Sequence, residues 1–186
     1  MIKVWFILSL VLIMFTSCNT IFHKKNNNYD LILNKYSKES FKYKDLFNGK
    51  VTVEAIFISD SIKKALEKDI ENNNLRENNI PFSIKNDYLT FLVAFYYYDS
   101  KLNNLDKKNS IWDITLILQG NKHKPSKITK LSRTNHKIFK YYFKNNQRFS
   151  TIYLVEFNML ELDNILGEMK LVFSSIEATL KLSWRL

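Results

Sequence analysis

The chain has 186 residues, with 28 Lys and Arg against 18 Asp and Glu for a formal charge of +10, and only three glycines, three histidines and one cysteine. A single cysteine excludes intrachain disulfides and zinc sites built from several thiolates. The few glycines leave no glycine-rich phosphate loop and no G-x-S-x-G elbow.

The first predicted element lies at Met1–Cys18. Lys3 precedes an apolar run from Val4 to Phe15, then come the small residues Thr16 and Ser17 and the cysteine. Charged, apolar and small-residue regions in that order are the layout of a secretion signal. The run is short of the ~20 residues that span a bilayer. Phe15-Thr16-Ser17-Cys18 resembles the lipobox of bacterial lipoproteins, with Phe15 where Leu is commonest. The resemblance implies that the Cys18 thiol receives a diacylglycerol, that the signal is cut before it, and that the new amino terminus is acylated. Several acyl chains on one residue give stable anchoring. The implied division is a signal peptide at 1–17, a lipidated tether and N-terminal arm at 18–44, and a single β-rich domain at 45–186. Asn19 stands where some lipoproteins carry an inner-membrane retention Asp, which favours an outer-membrane anchor facing the periplasm or the cell surface.

Lys24-Lys25-Asn26-Asn27-Asn28 is polar enough for a tether, and Tyr29, Leu31 and Leu33 suggest a first strand or an arm packed on the domain. Val51, Val53, Ala55 and Phe57 alternate with Thr52, Glu54, Ile56 and Ile58, which predicts a strand after the Asn48-Gly49 turn. Ser59 or Asp60 then caps a helix whose residues Ile62, Ala65, Leu66 and Ile70 share one face, ending at Asn72–Asn74. Leu89–Tyr98 is apolar enough for a central strand, and Tyr88, Tyr96, Tyr97 and Tyr98 add rings with polar rims. Asp99–Ser110 reads as a polar loop and Ile111–Leu118 as a strand ended by Gln119-Gly120. Pro125 makes Asn121–Lys130 a loop or an exposed edge. Ile138–Phe143 and Thr151–Phe157 read as a hairpin, and Met159–Leu166 as a helical turn or irregular crossing. Met169, Leu171 and Phe173, followed by Ala178, Leu180, Leu182 and Trp184, give the clearest alternation, two strands linked near Ser174–Ile176. The expected fold is mostly β, an antiparallel β-sandwich with one inserted helix packed across one end. The alternative is an α+β domain with a single antiparallel sheet.

Chemistry-bearing residues are sparse. His23, His123 and His136 form no HxH or HExxH arrangement, so no metal site and no cofactor are expected. Asp87, Asp99, Asp106 and Asp113 recur near strand boundaries, where turns and strand ends account for them, and Ser59-Asp60-Ser61 reads as a cap. The basic segment 121–137 supplies the candidate anion-binding surface: Lys122, His123, Lys124, Lys127, Lys130 and Arg133. Its expected partners are an envelope protein or an acidic glycan, with no nucleic acid beyond the membrane. The sequence thus points to a lipid-anchored envelope protein with a non-catalytic binding, adhesion or structural role. The opposing class is an envelope-associated hydrolase.

Overall fold

The computed structural model describes residues 36–43, 50–72, 87–132, 139, 142–143, 150–158 and 167–185. The signal, Cys18, the polar tether, Tyr29, Leu31, Leu33 and the segment 159–166 lie outside the described residues. Nine strands and one helix of several turns are described: β1 (Ser37–Tyr43), β2 (Lys50–Phe57), α1 (Asp60–Asn72), β3 (Tyr88–Tyr97), β4 (Asp113–Leu118), β5 (Asn121–His123), β6 (Lys127–Lys130), β7 (Thr151–Asn158), β8 (Glu168–Ser174) and β9 (Thr179–Arg185). They form two antiparallel sheets, one ordered β1-β2-β3-β7-β6 and the other β5-β4-β8-β9. The described residues form a β-sandwich with one α-helix of several turns.

Strand alternation explains the sandwich. Val51, Val53, Ala55 and Phe57 of β2 share parity, as do Phe91, Val93 and Phe95 of β3 and Tyr153, Val155 and Phe157 of β7. They meet Ile114, Leu116 and Leu118 of β4, Met169, Leu171 and Phe173 of β8, and Leu180, Leu182 and Trp184 of β9 in one buried core. The β8–β9 register sets Leu171 opposite Leu182 and Met169 opposite Trp184, so both strands of this hairpin turn the same face inward. Its turn is closed by the Ser175 amide donating to the Ala178 carbonyl at 2.9 Å.

The opposite parity of the five-stranded sheet is buried too. Ile56, Leu92, Ile152 and Leu154 lie outside the inter-sheet core and are nevertheless inaccessible, together with Ile62 and Leu66 of α1 and with Leu131, Phe139 and Phe143. These residues are a second set of buried apolar side chains, apart from the inter-sheet core. Ser59 begins it: its hydroxyl accepts from the Ile62 amide at 3.4 Å and its carbonyl from Lys63 at 2.8 Å.

Three segments differ from expectation. Residues Ser37–Tyr43, within the stretch read as tether and arm, pair with β2 along the whole of β1. Their polar composition hides a strand because an edge position is fixed by backbone pairing to one neighbour. Ile138–Phe143 is no hairpin strand in its described residues: Phe139 is helical and Tyr142 lies in a 3-10 turn. Phe139, Tyr142 and Phe143 are spaced i, i+3, i+4, a helical pattern that a short apolar run shares with a strand. Phe139 and Tyr142 accordingly pack ring to ring at 5.9 Å, and β7 pairs with β3 and β6. Asn121–Lys130 is the expected edge, but divided: β5 borders one sheet and β6 the other, with Lys124-Pro125-Ser126 crossing between them.

β4 turns into β5 through Gln119 and Gly120, both at positive φ (48° and 90°), the backbone signature of a two-residue hairpin loop whose twist suits antiparallel strands. On the far side of the sandwich, β1 lies against β9, and the Trp184 indole N–H donates to the Tyr36 carbonyl at 2.7 Å. That side is sealed. The β5 and β6 edges form the other.

Candidate functional site

The basic segment is distributed over two sheets. Lys122 and His123 lie on β5, Lys124 in the crossing, and Lys127 and Lys130 on β6; Arg133 and His136 lie outside the described residues. His123 pairs with Leu116 and shares its inward parity, half-buried. The Lys124 ammonium is held by both oxygens of the Asp113 carboxylate and lies 3.2 Å from the Thr115 hydroxyl. Lys127 faces the Glu156 carboxylate at 4.0 Å. Lysines on short border strands also oppose edge-to-edge pairing between molecules, which gives β5 and β6 a structural reason for their charge.

A second arrangement becomes visible only in the register. Among the described residues, the outer face of the four-stranded sheet is less buried than that of the other sheet. One cross-strand row runs Lys122, Ile117, Lys170, Ser183, and the next Thr115, Val172, Lys181; Glu168 stands opposite Arg185. Ile117 and Val172 in the middle are half-buried, while Lys122, Lys181, Ser183 and Arg185 are exposed. The two carboxylates of this face are engaged: Asp113 by Lys124, and Glu168 by Lys170 at 2.9 Å. Lys122, Lys181 and Arg185 make no ion pair among the described residues. Lys181 and Arg185 alternate with the core residues Leu180, Leu182 and Trp184 along β9. Their neighbourhood with Lys122 follows from strand order, which no local pattern encodes.

One end of the sandwich is closed by residues 99–112. Asp99 caps the turn Ser100–Leu102 by accepting from the Lys101 amide at 3.0 Å. Leu105 and Trp112 enter the core, with Trp112 edge-on to Phe95 at 5.0 Å. Buried Asn103 joins the loop to two strands: its side-chain oxygen accepts from the Tyr97 amide at 2.7 Å, and its carbonyl from the Tyr153 hydroxyl at 2.6 Å. The aspartates thus have separate occupations: Asp99 as a cap, Asp106 beside Lys107 at 3.5 Å and Asp113 with Lys124, while Asp87 is exposed ahead of β3. Among the described residues no three His, Cys, Asp or Glu side chains converge on a metal position.

Burial, then the nearby negative charge of Asp106, pushes the Tyr153 phenol up to about 12. Burial likewise holds Tyr97 above its ordinary range, reinforced by Tyr98 and by the charge of Glu177. A phenol whose folded value exceeds its unfolded 10.0 stabilises the fold fully below pH 10; above that the unfolded chain ionises first and the contribution is lost as pH approaches about 12. Tyr153→Phe is expected to lower stability at neutral pH through the lost bond to Asn103, yet to show a shallower decline between about pH 9 and about pH 12. Denaturant midpoints across that range are the measurement. Parallel declines for both proteins would contradict the role given to Tyr153.

No protein-family model, curated protein or solved structure matches this chain.

Proposed function

We propose that the chain is a lipid-anchored envelope protein, attached through acylated Cys18, whose β-sandwich has a binding, adhesion or structural role and no catalytic one. The observation that carries the reading is the order Lys3, apolar Val4–Phe15, small Thr16-Ser17 and then the chain's one cysteine. The described domain is compatible with it. Asn103 ties a loop to two strands, Ser37 donates to the buried Glu54 carboxylate at 3.1 Å, and Asp113 and Glu156 each meet a lysine. The Asn103, Glu54 and Asp113 contacts are structural, and the sandwich offers its outer sheet face and loops for contact. An outer-membrane location, facing the periplasm or the surface, belongs to the same proposal through Asn19. In cells fed labelled fatty acid, the wild-type protein is expected to carry label and partition with detergent. Cys18→Ala is expected to lose both. Equal labelling of the two would end the proposal, and fractionation with protease treatment of intact cells reads the membrane and the side.

A further inference from the structure

We infer that the outer face of the four-stranded sheet is a docking surface for an anionic lipid bilayer. Three observations converge on it. The first is the contrast between the two sheets. The outer parity of the five-stranded sheet is buried at Ile56, Leu92, Ile152 and Leu154, whereas Lys181, Ser183 and Arg185 leave the outer parity of β9 exposed. The second is charge. Asp113 and Glu168 are taken by Lys124 and Lys170, so Lys122, Lys181 and Arg185 remain as unpaired cations on a face with no free carboxylate among its described residues. The third is shape. Lys122 stands on one border strand and Lys181 and Arg185 on the other, so with strands spaced ~4.8 Å apart the cations span roughly 14 Å across the sheet. Half-buried Ile117 and Val172 and small hydroxyl residues lie between them.

Cations spread over a sheet face, without a groove, suit a plane of phosphates better than a single polymer strand. Long Lys and Arg side chains can lay their stems along Ile117 and Val172 and extend their charged heads to lipid phosphates. The source of the bilayer rests on the proposed acylation of Cys18. An anchored domain meets its own membrane at high effective concentration, where a few cations suffice to hold it flat.

The test uses the full-length chain carrying Cys18→Ser, so that no acyl chain contributes and the signal segment supplies the same background in every arm. Sedimentation is measured with vesicles of phosphatidylcholine alone and with about 30% phosphatidylglycerol, at about 50 mM and about 0.5 M salt. Binding to anionic vesicles is expected to exceed binding to neutral ones by about tenfold at low salt, and the preference to vanish at high salt. The combined substitutions Lys122→Gln, Lys181→Gln and Arg185→Gln should abolish that preference. Lys64→Gln, Lys101→Gln and Lys108→Gln, which remove equal charge from other exposed positions, should retain most of it. Near-ultraviolet circular dichroism checks that both variants are folded. Equal loss in the two variants would reduce the effect to net charge and overturn the assignment. So would retention of the preference by the sheet-face variant, or sheet-face-dependent binding to heparin without any preference for anionic vesicles. Because this chain lacks the acylated cysteine, failure here is separable from failure of the lipid-labelling experiment.

Discussion

Trp184→Ala is expected to lower the free energy of unfolding by about 3–5 kcal/mol, while Lys181→Ala stays within about 0.5 kcal/mol. Both residues belong to β9. Trp184 is only 2% exposed. Its ring lies 5.2 Å from Phe91 in the core, and its indole N–H reaches the Tyr36 carbonyl. Truncation removes a large apolar area, leaves a cavity between the sheets and takes away the indole donor to the Tyr36 carbonyl at the β1–β9 seal. Trp184→Phe separates these effects. It keeps most of the burial and drops the donor, so it should fall between the two at about 1–2 kcal/mol. Urea unfolding gives all three values, and near-equal midpoints for wild type and Trp184→Ala would remove this residue from the core.

Asn103→Ala is expected to cost about 2–3 kcal/mol, although it deletes only a small polar side chain. The Asn103 side-chain oxygen is the partner of the Tyr97 amide, and both residues are buried at 7% and 3% exposure. Without it a backbone donor at the end of β3 is left in a dry environment, where the loss exceeds the net value of an ordinary hydrogen bond. The loop 99–112 would also lose its hold on Tyr97, although the bond from Tyr153 runs to the Asn103 backbone and survives. Asn109→Ala, at an exposed position of the same loop, should change stability by less than about 0.5 kcal/mol. Urea midpoints test the comparison, and hydrogen exchange at the Tyr97 amide reads the mechanism. Unchanged protection of that amide in Asn103→Ala would contradict the assigned role.

Elements with a strong internal period were legible in the sequence. The alternation from Met169 to Trp184 predicted β8, β9 and their shared inward face, and the spacing of Ile62 and Leu66 behind Ser59 predicted α1. Leu89–Tyr98, dense in apolar residues, became the middle strand of the larger sheet because both of its faces are covered. Segments whose structure depends on distant partners were illegible. Ser37–Tyr43 has too few apolar residues to announce a strand and is one because β2 offers an edge. Phe139, Tyr142 and Phe143 satisfy two periods at once, and tertiary packing selected the helical one. The basic segment was visible as charge, but its division between two sheets was not. The grouping of Lys122 with Lys181 and Arg185 depends on the order β5-β4-β8-β9, in which residues far apart in the chain become neighbours.

The hydrogen bond between Trp184 and Tyr36 joins positions 148 residues apart, and this has a consequence for the timing of folding. During synthesis from the amino terminus, the apolar faces of β2 and β3 exist long before Glu168–Arg185 arrive to cover them. Loop closure over such a separation is entropically costly, and domains built on distant strand pairings fold in milliseconds to seconds rather than microseconds. A growing chain of this topology stays open until its last hairpin is made, exposing strands that invite aggregation and depend on chaperones for protection. For the secreted chain proposed above, the same delay would suit passage through a narrow secretion channel, which admits an extended chain and stops a closed sandwich.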